Sequence, residues 1–288
     1  MLHLKQNMSS VNDEEFVEYI QRIGDGNESF IIDDLIKLPP SMAMQWEGEH
    51  SIYNLIDQFF PSLQEHANDA RYMIDRALLT PINDDVERLN AKIISQFLRD
   101  EFRLHSYDEV EGDTQHLYQQ EFLNSISLGG LPSHIPRLKK GAPIMLLRNI
   151  DPKAGLCNGT RLICYGCFNN VSEAEILTRQ YVATHVFLAK KPFEDNIKCT
   201  PTICNDQMTI SYTFELCNYN KQSTRSNNSN FGIYLPDHVF SLSQLYMALS
   251  RGVSQSTIKL LVQKGRIPEE EGVHTRNIVY KDVLFPSS

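Results

Sequence analysis

Ala77-Leu78-Leu79-Thr80 is a short apolar run of strand type, and Pro81-Ile82-Asn83-Asp84-Asp85 opens a helix directly behind it. Helical spacing continues through Ser95, with Val86, Leu89, Ile93 and Ile94 on one side. A strand that turns straight into an amphipathic helix constrains a chain towards α/β layering, because the helix must pack its apolar side back onto a sheet. Far downstream the same signals return. Phe231 to Leu235 (FGIYL) reads as a strand, Ser243 to Ser250 (SQLYMALS) as a helix and Ile258 to Val262 (IKLLV) as a closing strand. Upstream, Val11, Phe16, Val17, Ile20 and Ile23 predict a helix ended by Gly24-Asp25-Gly26, and His50 to Phe60 predicts another, stopped at Pro61. Asp13 and Glu14 fall where a helix dipole favours carboxylates.

The middle of the chain reads differently. Pro143 to Ile150, Thr160 to Tyr165 and Ala174 to Thr178 predict short strands, with Lys153-Ala154-Gly155 and Asn158-Gly159 as turns. Three strands so close together suggest a small β-barrel module. Residues 196–230 are rich in Asn, Ser, Thr and Cys with little periodicity, and Asn218 to Asn230 reads as a loop for want of apolar residues.

Charge follows the same division. The 288 residues carry 27 Lys+Arg and 36 Asp+Glu, for a net charge of −9. Residues 1–130 hold nine basic and 24 acidic side chains, whereas residues 131–200 hold ten and five. A basic segment of this kind is either a solvated face or a phosphate-facing surface, since counterion release needs clustered Lys and Arg. Composition, at 41% apolar and 22% charged, is that of a globular protein. No apolar run approaches the roughly 20 residues of a membrane span, and the first residues lack an apolar signal segment. Six cysteines are therefore expected as reduced intracellular thiols.

Several chemistries lack their residues. The sequence has no G-x-x-x-x-G-K-[ST] and not one Gly-Lys dipeptide, so it contains no Walker-type phosphate loop. H-E-x-x-H, G-x-S-x-G and an EF-hand loop are also absent. Cys164-Tyr165-Gly166-Cys167 with Cys199 and Cys204 offers four thiols, but the second pair has a C-x4-C spacing on an irregular segment. Buried thiols and no metal site are expected there. In Gln244 to Gly252 (QLYMALSRG) an arginine follows an apolar helical run and precedes a glycine. It is either an ordinary surface arginine or a guanidinium set at a helix end to meet a phosphate.

The strings ALLTPINDDVERLN, LPSHIPRLKKGAPIMLLRNIDPKAGLCNGTRLI, GIYLPDHVFSLSQLYMALSRGVS and NIVYKDVL resemble the C-terminal part of Pif-type superfamily-one DNA helicases, especially those of Helitron transposons. The resemblance implies an α/β fold: one RecA-like domain, a parallel sheet with flanking helices, carrying an inserted small SH3-like β-barrel. Residues 1–127 would be the first part of the second RecA-like domain, 128–200 a 2B-like insertion and 201–288 the remainder. The implied activity is 5′-to-3′ ATP-dependent DNA unwinding, with ATP and Mg²⁺ in the intact family, single-stranded DNA as partner and no membrane. A nuclear location and roles in repair, recombination and telomere maintenance are implied as well. Arg251 would be the catalytic arginine finger, and Gln244 and Arg251 would contact nucleotide. Thr80, Asn83, Arg137, Lys139, Lys140, Arg148, Lys153 and Lys221 would contact DNA.

The departures from that pattern set the expected activity. Gln6-Asn7-Met8-Ser9 stands where relatives resemble QNMR, so a serine replaces an arginine. Tyr219 to Ser226 (YNKQSTRS) stands where relatives resemble INKSQGQT, without the glycine. The domain with the nucleotide loop is expected upstream of Met1, as a missing first RecA-like partner. The chain alone is thus expected to be a truncated or diverged helicase that holds no cofactor and turns over no ATP. The alternative is a single-stranded DNA-binding module without turnover, or a decayed transposon remnant.

Overall fold

The computed structural model describes residues 13–32, 34–67, 69–103, 107–110, 137–146, 149–168, 171–177, 184–189, 205–208, 212–214, 217–219, 230–239 and 241–279. The helices in chain order are α1 (Glu14–Asp25), α2 (His50–Phe59), α3 (Ala70–Ile74), α4 (Asn83–Ser95) and α5 (Gln244–Leu249). The strands begin with β1 (Phe30–Ile32), β2 (Leu35–Lys37), β3 (Ala43–Met44), β4 (Arg76–Thr80), β5 (Glu101–Arg103), β6 (Tyr107–Val110), β7 (Arg137–Lys139) and β8 (Pro143–Leu146). They continue with β9 (Arg161–Cys167), β10 (Val171–Ile176), β11 (His185–Ala189), β12 (Asn205–Met208), β13 (Tyr212–Phe214) and β14 (Cys217–Tyr219). Last come β15 (Asn230–Leu235), β16 (Ile258–Val262) and β17 (His274–Arg276). The chain divides into two compact units. Met1–Leu63, Arg71–Leu89 and Leu216–Ser288 form the first, and Gln64–Ala70 with Asn90–Glu215 form the second. The boundaries expected at 127/128 and 200/201 lie outside the described residues.

The first unit holds a five-stranded sheet in the order β14-β4-β15-β16-β3, with every neighbouring pair parallel. Strands covered on both faces must be apolar on both, and Ala77 to Leu79, Phe231, Ile233 to Leu235 and Leu260 to Val262 are all buried. Phe231, Ile233 and Leu235 of β15 share a core with Phe16, Ile20 and Ile23 of α1 and with Leu245 and Leu249 of α5. The alternate residues of β15 face α2: a Cβ on Gly232 would lie 2.9 Å from the Phe59 ring and 2.6 Å from Leu78 Cδ2. Helices therefore cover both faces. Beside this sheet, β1, β2 and β17 form an antiparallel one in the order β1-β2-β17.

Asp13 starts α1 by accepting the Phe16 N–H at 3.0 Å, with Glu14 and Glu15 in the first turn. Its other carboxylate oxygen accepts the Gln255 N–H at 2.9 Å, which ties the first helix to the segment before β16. Gly26, at φ 66°, closes the helix in the left-handed region.

The second unit contains an antiparallel five-stranded sheet in the order β11-β10-β9-β8-β13. β8 is buried along its length, and β10 alternates half-buried and buried residues as a strand with one covered face does. Two-stranded ladders, β5-β7 and β6-β12, also belong to this unit.

Two expectations need correction. Residues 196–230 were expected without regular structure, yet β12, β13 and β14 fall there. Asn218 and Tyr219 belong to β14 and pair with Leu79 and Thr80, while Asn230 opens β15. Local composition hid β14 because its partner, β4, lies far away in the chain. Residues 220–229 are outside the described residues. The short strands β1, β2, β3 and β17 also escaped sequence reading, since two or three residues carry no periodicity.

Candidate functional site

Thr80, Leu235 and Val262 end β4, β15 and β16, so they mark the carboxyl edge of the parallel sheet. Open α/β sheets hold ligands at this edge. A polar cluster stands by it. Arg88 of α4 donates from Nη2 to the Tyr234 hydroxyl at 2.8 Å and pairs with Asp85 Oδ1 at 3.1 Å. Tyr234 in turn donates to Gln263 Oε1 at 3.0 Å, and the Trp46 and Tyr234 ring centroids are 6.4 Å apart. Burial raises the Asp85 carboxyl above its ordinary range despite the neighbouring Arg88. Burial likewise raises the Tyr234 phenol, with Arg88 opposing it. Arg88 is thus held by an acid and a phenol, and the cluster fixes the sheet edge more than it offers a free cation. Sequence reasoning missed these residues. Arg88 and Tyr234 are 146 positions apart, and although each lies in a string that carries the resemblance, nothing in either string pairs them.

Thr80, expected on DNA, has no exposed surface, and its hydroxyl has no hydrogen-bond partner among the described residues. In this structure its side chain is closed off by packing at the end of β4. Asn83 opens α4, but its side chain is outside what is described.

Arg251 follows α5 and is half-buried, with its N–H donating to the Ala248 carbonyl at 3.3 Å. Gly252 is demanded by packing: a Cβ there would meet Phe231 at 2.7 Å and also the Ile258 side chain. That close approach presses the chain after α5 onto β15 and β16 and fixes where Arg251 emerges. Gln244, expected on nucleotide, is buried, and its Oε1 accepts the Ser241 N–H at 3.3 Å. Its amide oxygen is therefore engaged in shaping the start of α5. Leu242, Tyr246 and Met247 on the same segment are exposed large apolar residues.

Of the basic residues expected on DNA in the second unit, Lys140 and Lys153 are exposed. Lys139 is half-buried and donates from Nζ to the Phe97 carbonyl at 2.7 Å, so its ammonium is partly engaged within the fold. The Arg137 side chain, Arg148 and Lys221 lie outside the described residues. Cys164 is buried and Cys167 half-buried, while Cys199 and Cys204 lie outside the described residues. Among the described residues no helix is long and apolar enough to cross a membrane.

The family profile described as "DNA helicase Pif1, 2B domain" matches residues 121–166. The fold is similar to that of Pif1 helicase from Candida albicans, with a TM-score of 0.60 and 16% identity over 90% of this chain and 55% of that one. It is also similar to Pif1 helicase from Bacteroides in complex with ADP-AlF3 and ssDNA, with a TM-score of 0.54 and 15% identity over 93% of this chain and 54% of that one. This chain thus spans about half the length of those structures. No curated protein matches it by sequence. Residues 121–166 thus match a Pif1 2B profile, and the fold of the chain is similar to that of Pif1 helicases.

Proposed function

We propose that the chain is the second motor domain, with its 2B insertion, of a Pif-type ATP-dependent DNA helicase, and that it engages single-stranded DNA. One observation carries this reading. The matched 2B segment, 121–166, falls in the chain between β4 and β15, which are adjacent strands of one parallel sheet. Parallel neighbours always need a long crossover, so a whole module can be housed there without breaking the ladder. In this reading the first unit is RecA-like and the second holds the SH3-like barrel. The ADP-AlF3 and ssDNA bound by the Bacteroides protein support nucleotide and single-stranded DNA as ligands of this fold.

Arg251 is the residue through which the chain acts on nucleotide. Its guanidinium stays charged and offers a planar fork to phosphate oxygens. Such an arginine contributes about 10³–10⁵ in rate, but only beside a phosphate cradle. This sequence has no G-x-x-x-x-G-K-[ST]. Among the described residues no group of three His, Cys, Asp or Glu is placed to hold a metal ion. In this reading the phosphate cradle, and with it turnover, comes from a first motor domain. A reading without turnover, as a DNA-binding module, is favoured by Ser9 and by the altered Tyr219 to Ser226 stretch.

Fluorescence anisotropy with single-stranded DNA tests the binding claim. Charge reversal at Lys140 and Lys153 is expected to weaken binding and to make the salt slope shallower by about 0.7 for each phosphate contact removed. A doubly reversed chain that binds like the parent would exclude this surface. The chain alone is expected to show no DNA-stimulated ATP hydrolysis, and turnover abolished by Arg251→Ala would contradict that expectation.

A further inference from the structure

Cys164 and Cys167 lie three residues apart on β9, a spacing that in a regular strand sends side chains to opposite faces. The ladder between β9 and β10 is irregular there. Cys167 pairs with Ser172, Gly166 with Glu173 and Cys164 with Ala174, which leaves Tyr165 as an extra residue without a partner position on β10. A one-residue bulge of this kind resets the alternation. Both cysteines consequently stand opposite Ser172 and Ala174, two residues of one face that have no exposed surface.

Their sulfurs meet at 3.6 Å. The extra residue is itself held in place: the Tyr165 hydroxyl donates to Glu175 at 2.7 Å, and its ring centroid lies 5.1 Å from that of His185. Cys167 is half-buried and Cys164 buried. The Ser172 hydroxyl donates to Cys167 Sγ at 3.4 Å, a contact that favours negative charge on that sulfur.

We propose that this bulge builds an oxidisable dithiol, a modification site where hydrogen peroxide converts Cys164 and Cys167 to a disulfide. Cys167, the more accessible, reacts first as its thiolate. Its sulfur attacks a peroxide oxygen, the O–O bond breaks, hydroxide leaves and Cys167 becomes a sulfenic acid. The Cys164 thiol then gives up its proton and attacks that sulfur. The S–O bond breaks, the departing hydroxide takes up a proton as water, and the S–S bond forms. Two thiols have lost two hydrogens and one peroxide has become two waters. The sulfurs must approach from 3.6 Å to about 2.05 Å, a closure of about 1.5 Å.

The sequence provides an internal control. Trypsin cleaves after Arg161 and Arg179 to release Leu162–Arg179, which carries these two cysteines alone. Cleavage after Lys153 and Arg161 releases Ala154–Arg161, which carries the single, half-buried Cys157. The full chain is exposed to dilute hydrogen peroxide, alkylated, digested and weighed. The expected result is a Leu162–Arg179 peptide lighter by two hydrogens, unalkylated and restored by dithiothreitol, forming about tenfold faster than Cys157 is lost. In concentrated guanidinium that advantage should vanish, because the bulge sets it. The proposal is overturned if both cysteines alkylate as fully as Cys157. It is equally overturned if Cys167 stops at a dimedone-trappable sulfenic acid in the parent, or if the advantage survives denaturation. Cys164→Ser should convert the product to that trappable acid, and a disulfide-free, unreactive Cys167 in this variant would also count against it.

Discussion

The two units reach their sheets by opposite routes. In the second, β8, β9, β10 and β11 follow one another in the chain and pair in that same order. In the first, β4 pairs with β15 across Asn90–Glu215, the longer segment of the second unit, and β3 pairs with β16 from near the other end. Local antiparallel pairing closes small loops, whereas parallel pairing cannot begin until distant segments meet. Loop-closure entropy, however, grows only slowly with length. A parallel sheet that already needs a long crossover therefore loses little by lengthening it. That asymmetry explains why the parallel sheet is the host and the antiparallel sheet the guest.

The largest expected effect strikes the host. Phe231 is buried in β15 between Ala77 and Ile258, and it belongs to the core shared with α1 and α5. Phe231→Ala should cost about 3–5 kcal/mol, the range for a large aromatic removed from a packed core. Trp46 is the sequence's single tryptophan and packs near Tyr234 in the same unit, so its fluorescence reports the host. The denaturation midpoint read at Trp46 should fall sharply. A midpoint that stays put would break the claim that β15 is the centre of this unit.

A second, smaller effect sharpens how distant segments are joined. Asp13 caps α1 with one oxygen and accepts the Gln255 N–H with the other. Losing an N-cap costs about 0.5–2 kcal/mol, and stranding a partly buried N–H adds about 1–3 kcal/mol at full burial. Asp13→Ala should therefore lower the Trp46 midpoint by less than Phe231→Ala but by more than Asp13→Ser, which can keep the cap with one oxygen. Equal losses for Ala and Ser would show that the link to Gln255, and not the cap, carries the effect.

The same contrast explains what the sequence disclosed. β4, α4, β15 and β16 were legible because strands buried on both faces are continuously apolar and the helix behind them is amphipathic. α1 and α2 were legible from their spacing and from Gly26 and Pro61. β14 was not, since Cys217-Asn218-Tyr219 becomes a strand only by lying against Leu78 to Thr80. Arg251 was singled out by its place after an apolar run and before Gly252, and the structure gives the physical reason for that glycine. The Arg88, Tyr234 and Gln263 cluster was illegible, because its three members come from three separate segments. The Cys164 and Cys167 pair was visible as a spacing. What the spacing could not disclose is the bulge at Tyr165, which depends on the register of β10.

The smallest expected effect concerns pH and again isolates the host unit. His238 follows β15, and its Nδ1 is buried with no hydrogen-bond partner among the described residues. Burial, followed by the positive charge of Arg276, lowers its imidazole below the ordinary 6.5, with Asp237 opposing and Lys264 adding to the shift. The folded protein therefore holds His238 neutral where the unfolded chain has begun to protonate it. By linkage, stability is unaffected above about pH 6.5 and falls as pH drops from there towards the lowered folded value, because the unfolded state takes up the proton that the folded state refuses. His238→Gln removes the titration and keeps a polar side chain. Denaturation midpoints read at Trp46 should consequently fall less steeply between neutral and mildly acidic pH in the variant than in the parent. Parallel slopes would show that His238 is free to protonate in the fold, and the acid sensitivity of the host sheet would then have to come from its carboxylates instead.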